Sequence, residues 1–217
     1  MVMQPEIIGK KMEKLRGVKA ILLYGSFARG EADELSDLDV MVIVEDSSII
    51  DAIREELEDI NPIITTEDGI MKSVKLHPST VVMLKEARPI YGNPPELPEI
   101  RKEHLLRELD EALKILEINE ALLSDITETT TNAVIYSAIL RARQAYIIKC
   151  LIRDEAMTKR GFIEELKRIG IKPEYYDYYR LARDDKLSIT LPELELKRLV
   201  KAVKRYVKQV RKEVKKL

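Results

Sequence analysis

Leu22-Leu23-Tyr24-Gly25-Ser26-Phe27-Ala28-Arg29-Gly30, followed by Ser36-Asp37-Leu38-Asp39-Val40-Met41-Val42-Ile43-Val44, is the stretch whose reading decides the fold. The runs 20–24 and 40–44 are short, apolar and partly β-branched, with turn-forming or charged residues at their ends. That pattern predicts two buried strands. Side chains at i and i+2 of a strand share a face, so Asp37 and Asp39 are expected to project together, about 7 Å apart at ~3.3 Å per residue. Two carboxylates that close repel unless a cation lies between them, and their hard oxygens suit a divalent ion such as Mg²⁺. Gly25 lets the backbone turn sharply and approach a ligand. Ser26 is expected to N-cap a short helix through Ala28 and Arg29, whose free N–H groups would face an anion. An anion cradle beside a metal-binding carboxylate pair fits a metal-bound nucleoside triphosphate.

Gly25-Ser26, ten intervening residues and Asp37-x-Asp39 resemble the signature of the DNA polymerase β-like nucleotidyltransferase superfamily. The finer string, Gly-Ser-Phe-Ala-Arg-Gly-Glu-Ala and then Ser36-Asp37-Leu38-Asp39-Val40, is similar to its minimal prokaryotic branch. The resemblance covers roughly the first 90 residues. It implies transfer of a nucleoside monophosphate from ATP or another triphosphate to an acceptor. Asp37 and Asp39 would hold Mg²⁺ or Mn²⁺, and Gly25 and Ser26 would hold the phosphates. It also implies a third carboxylate on a neighbouring strand. Asn61 stands where that acid is expected, and an amide cannot serve as a base. Asp59 is the alternative candidate, with Glu67 and Asp68 further along. Arg29 has two readings, a phosphate ligand or a partner of Glu31 or Asp33.

The chain has 217 residues and a formal net charge of −1, so no overall field draws it to nucleic acid or an anionic membrane. No apolar run approaches the roughly 18 residues of a membrane helix. The first residues lack the zones of a signal peptide. A single cysteine, Cys150, leaves no internal disulfide. A cytoplasmic protein is expected. Charged residues make up 35%, which leans towards a thermophile.

The expected fold class is α+β, with a small mixed sheet flanked by helices over 1–93 and an all-α bundle over 94–217. A first helix is predicted over 6–16, stopped by Gly17. Ser48 is expected to cap a helix through Glu58, with Ile49, Ile53 and Leu57 inward. A third strand is predicted over 59–66, held to an edge or to its own start by Pro62. A short helix near 80–87 should turn Val82 and Met83 inward, and a fourth edge strand should follow at 88–91. His77 reads as a loop histidine. Gly92-Asn93-Pro94-Pro95-Glu96-Leu97-Pro98 forbids regular structure and marks the domain boundary.

Beyond it, apolar stripes predict helices over 100–123, from 131 or 132 to 153, from a Thr158 cap to 169, from Pro173 to 182, and from 191 to the C-terminus. His104 reads as a surface residue. The bundle resembles HEPN-type helical domains, on Arg141-Ala142-Arg143-Gln144-Ala145-Tyr146 through Thr158-Lys159-Arg160-Gly161-Phe162. The ribonuclease pattern of that family, Arg followed four to six residues later by His, is missing, because the only histidines are His77 and His104. The resemblance therefore implies a binding or homodimerising bundle. Tyr175-Tyr176-Asp177-Tyr178-Tyr179 offers rings for base stacking or for the core. The last helix is strongly basic, as a solvated face or an RNA contact. The acceptor stays open between a small molecule, a protein and RNA. An antitoxin-like or regulatory interaction protein is the competing reading.

Overall fold

A computed structural model describes residues 16–34, 36–57, 60–184 and 186–217. The helix predicted over 6–16 falls almost wholly outside the described residues. The chain divides into two compact units, Met1–Ile100 and Arg101–Leu217.

In the first unit, β1 (Val18–Leu23), β2 (Val40–Val44), β3 (Ile63–Thr66) and β4 (Arg88–Gly92) form one sheet in the order β3-β2-β1-β4. β1 runs antiparallel to β2 and β4, whereas β2 and β3 are parallel, so the sheet is mixed. Pro62 sits just outside β3, an edge strand, because proline cannot donate to a ladder. The β2 strand is buried at every position, as its unbroken apolar run requires when both faces are covered. Leu38, Val40, Val42 and Val44 pack with Ile21 and Leu23 against Ile53 and Leu57. Ile53 and Leu57 have no exposed surface, and truncating either to alanine would cost roughly 2–5 kcal/mol.

Three local expectations for this unit need correction. Asp46, not Ser48, caps the segment after β2. Its carboxylate accepts from the Ser48 N–H at 2.7 Å, a 3₁₀ turn follows, and α2 covers only Ile50–Glu56. A helix the sequence reading did not foresee, α3 (Glu67–Leu76), follows β3 directly. Thr66 caps it, accepting from the Gly69 N–H at 3.1 Å, and Ile70 and Val74 are buried one turn apart. In α4 (Val81–Lys85) the buried residues are Val81 and Leu84, one step out of phase with the expected Val82 and Met83. The 3₁₀ turn Pro78–Thr80 rotates the helix entry and shifts its inward face. His77 lies exposed in the connection between α3 and that turn.

The second unit is all helical: α5 (Lys102–Leu122), α6 (Glu128–Arg153), α7 (Lys159–Arg168), α8 (Glu174–Arg183) and α9 (Glu193–Lys215). The long α6 is its centre, packed by α5, α7, α8 and α9. The cap of α6 is Thr127, which accepts from the Thr130 N–H at 3.1 Å, so the helix starts earlier than predicted and buries Thr131. Thr158 caps α7 as expected, accepting from the Gly161 N–H at 3.0 Å. His104 is a capping residue: its Nδ1 accepts from the Arg101 N–H at 3.4 Å. Tyr175 and Tyr179 are buried in the bundle, while Tyr176 and Tyr178 are half-buried. Two cations of the basic face of α9 are answered by α5. Arg211 forks onto Asp110 at 2.5 and 3.1 Å, and Lys204 reaches Glu120 at 2.8 Å. Among the described residues no helix is long and apolar enough to cross a membrane.

Candidate active site

The chain leaves β1 at Leu23 and turns at once into α1 (Gly25–Arg29). Gly25 opens that helix with φ 72°, a left-handed conformation that only glycine adopts without strain. The cap position is Tyr24, with no side-chain bond, so Ser26 stands inside the first turn rather than at the cap. Gly30, also at φ 72°, ends the helix, and the Glu31 N–H closes the turn on the Ser26 carbonyl at 2.8 Å.

Asp37 and Asp39 precede β2 rather than lying within it. Pairing nevertheless runs one residue beyond the strand. The Tyr24 N–H donates to the Asp39 carbonyl at 3.0 Å, next to the Leu23–Val40 pair. This bond sets Asp39 opposite the turn. A Cβ built on Gly25 would run into Asp39 Oδ2, 3.0 Å from its Cγ and 3.3 Å from its Cβ. The Asp39 carboxylate therefore occupies the space that a side chain at position 25 would need. Asp37 is exposed, Leu38 buried and Asp39 half-buried, the alternation of an extended chain. In step with Met41 and Ile43, both aspartates belong to the sheet face opposite the Leu38–Val40–Val42 core.

Further along that face lies a recess of about 130 Å³ lined by Met41, Ile63, Thr65, Ile70, Val74 and Leu84, among others. Its lining is mostly apolar, with Thr65, Ser73 and Thr80 among the residues around it.

Arg29 is held by two carboxylates. Its Nε donates to Glu31 Oε2 at 2.6 Å and its Nη1 to Glu86 Oε2. Burial alone would lower its pKa, but these two hydrogen bonds and their charges raise it. The Glu31 pairing was one of the two sequence readings. Glu86, 57 residues away, carries no sequence signal and is brought in by α4.

Of the candidates for a third acid, Asp59 lies outside the described residues. The parallel β2–β3 register begins at the Met41–Ile63 pair, and position 61 lies two residues before it. The residue there is Asn61, exposed and in the left-handed region at φ 44°. Glu67 and Asp68 fall in the first turn of α3. Among the described residues, no three His, Cys, Asp or Glu side chains gather as a metal cluster. What the geometry brings together is Gly25, Ser26 and Asp39, with Asp37 two residues away.

Residues 6–91 match the family described as Nucleotidyltransferase domain. Among solved structures, the chain is similar to a spectinomycin adenyltransferase, AAD(9), from Enterococcus faecialis, crystallised with ATP and spectinomycin. The two are 15% identical, the match covers 97% of this chain and 98% of that one, and the TM-score is 0.47. No curated protein matches the chain. Within the matched residues, the β1–α1 turn and the segment leading into β2 are the elements that carry Gly25, Ser26, Asp37 and Asp39.

Proposed function

We propose that the protein is a nucleotidyltransferase that moves a nucleoside monophosphate from a triphosphate, ATP among the candidates, to an acceptor. The observation that carries this reading is the Asp39 carboxylate lying against Gly25, in the space a Cβ would fill. A hard oxygen donor beside a glycine turn, with a second carboxylate two residues away, suits Mg²⁺ or Mn²⁺ chelated by a triphosphate. Asp37 and Asp39 would hold that ion, which when bound neutralises phosphate charge and stabilises the attacking and leaving oxygens. Gly25 leaves room for the chain of phosphates, and Ser26 supplies a hydroxyl and a backbone N–H towards them. An acceptor oxygen attacks the α-phosphorus, the bond to the bridging β-phosphate oxygen breaks, and pyrophosphate leaves. Arg29, bonded to Glu31 and Glu86, serves the scaffold rather than the phosphates. The helical unit, HEPN-like in sequence, would supply acceptor contacts or a homodimer interface.

Titration of ATP, CTP, GTP and UTP with Mg²⁺, by calorimetry, tests the reading. Metal-dependent binding is expected, and Asp37→Asn or Asp39→Asn should abolish it. Mutants that bind as well as the wild type would overturn the assignment. One observation favours a second reading. Asn61, just before β3 where a third acid is expected, has no proton to take or give as a carboxyl group does. A regulatory or antitoxin-like protein that binds nucleotide without turnover would show metal-dependent binding and no pyrophosphate release with any acceptor.

A further inference from the structure

A helix face that serves only solvation interleaves acids and bases, because like charges three or four residues apart repel and weaken the helix. The outer face of α9 does not. Residues 193–216 hold ten Lys and Arg against three Glu, so with −1 overall the rest of the chain stands at −8. Arg198, Lys201, Arg205, Lys208, Lys212 and Lys216 follow at steps of three or four residues, all exposed. At ~100° per residue they fall within one arc of about 80°, and at 1.5 Å per residue the row is about 27 Å long. Among the described residues none of the six makes an ion pair or a side-chain hydrogen bond. The cations that the fold does use lie at the edge of the arc: Lys197 is held by Glu193, Lys204 by Glu120 at 2.8 Å and Arg211 by Asp110. The other two acids, Glu195 and Glu213, are turned to Lys172 and Arg153. Six like charges therefore stand in a row with no acid of their own.

The rest of the helix narrows what such a row can meet. Leu199, Val203, Tyr206 and Val210 are buried, and α9 packs along both α5 and α6. It is set into the wall of the bundle, whereas a helix that reads the DNA major groove must insert its ~10–12 Å cylinder there. Tyr206 is the only aromatic residue of α9 and is 1% exposed, so the face has no ring for unpaired bases to stack on. Leu194 is the one large apolar side chain that α9 exposes, while a helix lying in a membrane surface needs a whole apolar face. What remains is a flush row of donors. The wide, shallow minor groove of A-form RNA presents phosphates and 2′-hydroxyls at its surface, where such a row reaches them.

We propose that the outer face of α9 docks double-stranded RNA, with Arg198, Lys201, Arg205, Lys208, Lys212 and Lys216 donating to backbone oxygens. Such contacts position a duplex and carry no sequence information. The surface is contained in the helical unit and uses no metal, so it stands apart from the Asp37–Asp39 reading.

The test uses the full-length chain carrying Asp39→Asn, with EDTA present, so that metal-dependent nucleotide binding does not contribute. Fluorescence anisotropy follows a labelled 20-base-pair RNA duplex of mixed sequence, and each variant's melting is followed by circular dichroism. Six phosphate contacts predict an affinity loss of about 1,000-fold between 50 and 200 mM salt. Lys201→Gln, Arg205→Gln and Lys208→Gln together should halve the salt slope, to a loss of about 40-fold over the same range. That variant should melt at or above the parent's temperature, since repulsion along α9 is relieved. Lys85→Gln, Lys114→Gln and Lys167→Gln together, three exposed lysines outside the arc, should leave the slope nearly unchanged. Absence of binding at 50 mM salt, or equal effects of the two triple variants, overturns the proposal. A DNA duplex or single-stranded RNA of the same length bound as tightly overturns the double-stranded RNA assignment. Polyglutamate that competes equally at the same charge concentration makes the surface one for acidic protein and overturns it too. The nucleotide titrations with Mg²⁺ answer the earlier reading independently, so the two fail separately.

Discussion

Two glycines flank α1 with the same backbone conformation and different surroundings, which makes them a matched pair. Gly25 and Gly30 both sit at φ 72°. An alanine at either pays the left-handed strain, roughly 1–2 kcal/mol. Around Gly30 there is nothing within 4 Å for a Cβ to meet. At Gly25 the new carbon would lie 3.0 Å from Asp39 Cγ and overlap Oδ2. Carbon atoms prefer about 3.5–4.0 Å, so the carboxylate must retreat by at least roughly 0.5–1 Å. A misplacement near 1 Å at a reacting centre costs about 100-fold. Gly30→Ala should therefore lower the melting temperature by about 4–16 °C, at about 4–8 °C per kcal/mol for a unit of this size, and keep Mg²⁺-dependent ATP binding. Gly25→Ala should lose stability by a similar or larger amount, lose turnover about 100-fold and weaken Mg²⁺-dependent ATP binding. Calorimetry with ATP and Mg²⁺, beside thermal melts of both variants, reads the two effects separately. If both variants bind alike, the Asp39 carboxylate against Gly25 is not part of the nucleotide site.

Other perturbations give distinct expectations. Arg29→Gln strips a guanidinium from two carboxylates, Glu31 and Glu86, whose side chains are 22% and 13% exposed, and should cost about 1–3 kcal/mol in denaturant unfolding. Nucleotide affinity of the folded variant should stay within about twofold, and a tenfold loss would make Arg29 a phosphate ligand instead. In the helical unit, burial would raise the Glu165 pKa, but hydrogen bonds from Arg168 and Lys149 hold it down to about 2, below the ordinary 4.5. A depressed carboxylate contributes stability above its unfolded pKa. That contribution, on the order of 1–2 kcal/mol after solvent screening, should fade as pH falls from about 4.5 to about 2. Glu165→Gln should flatten the acid limb of a melting-versus-pH curve, and an unchanged slope would show that the network is not the source.

The sequence by itself determined the α+β class. Unbroken apolar runs gave the buried strands β1 and β2, Pro62 kept β3 to an edge, and i, i+3, i+4 stripes with Thr158 and Pro173 gave most of the helical bundle. Those signals are local, because strand and helix periods are written in consecutive residues. The spacing of Gly25-Ser26 from Asp37-x-Asp39 was legible in the same way. The α3 helix was missed because its capping threonine is also the last residue of β3, so one residue carries both signals. What only the tertiary structure decided is who meets whom: Asp39 against Gly25, and Arg29 between Glu31 and Glu86. The stacking of Tyr136 on Tyr179, at 5.4 Å between ring centroids, belongs with these. Each depends on strand register or helix packing between residues remote in sequence, and no local period encodes that.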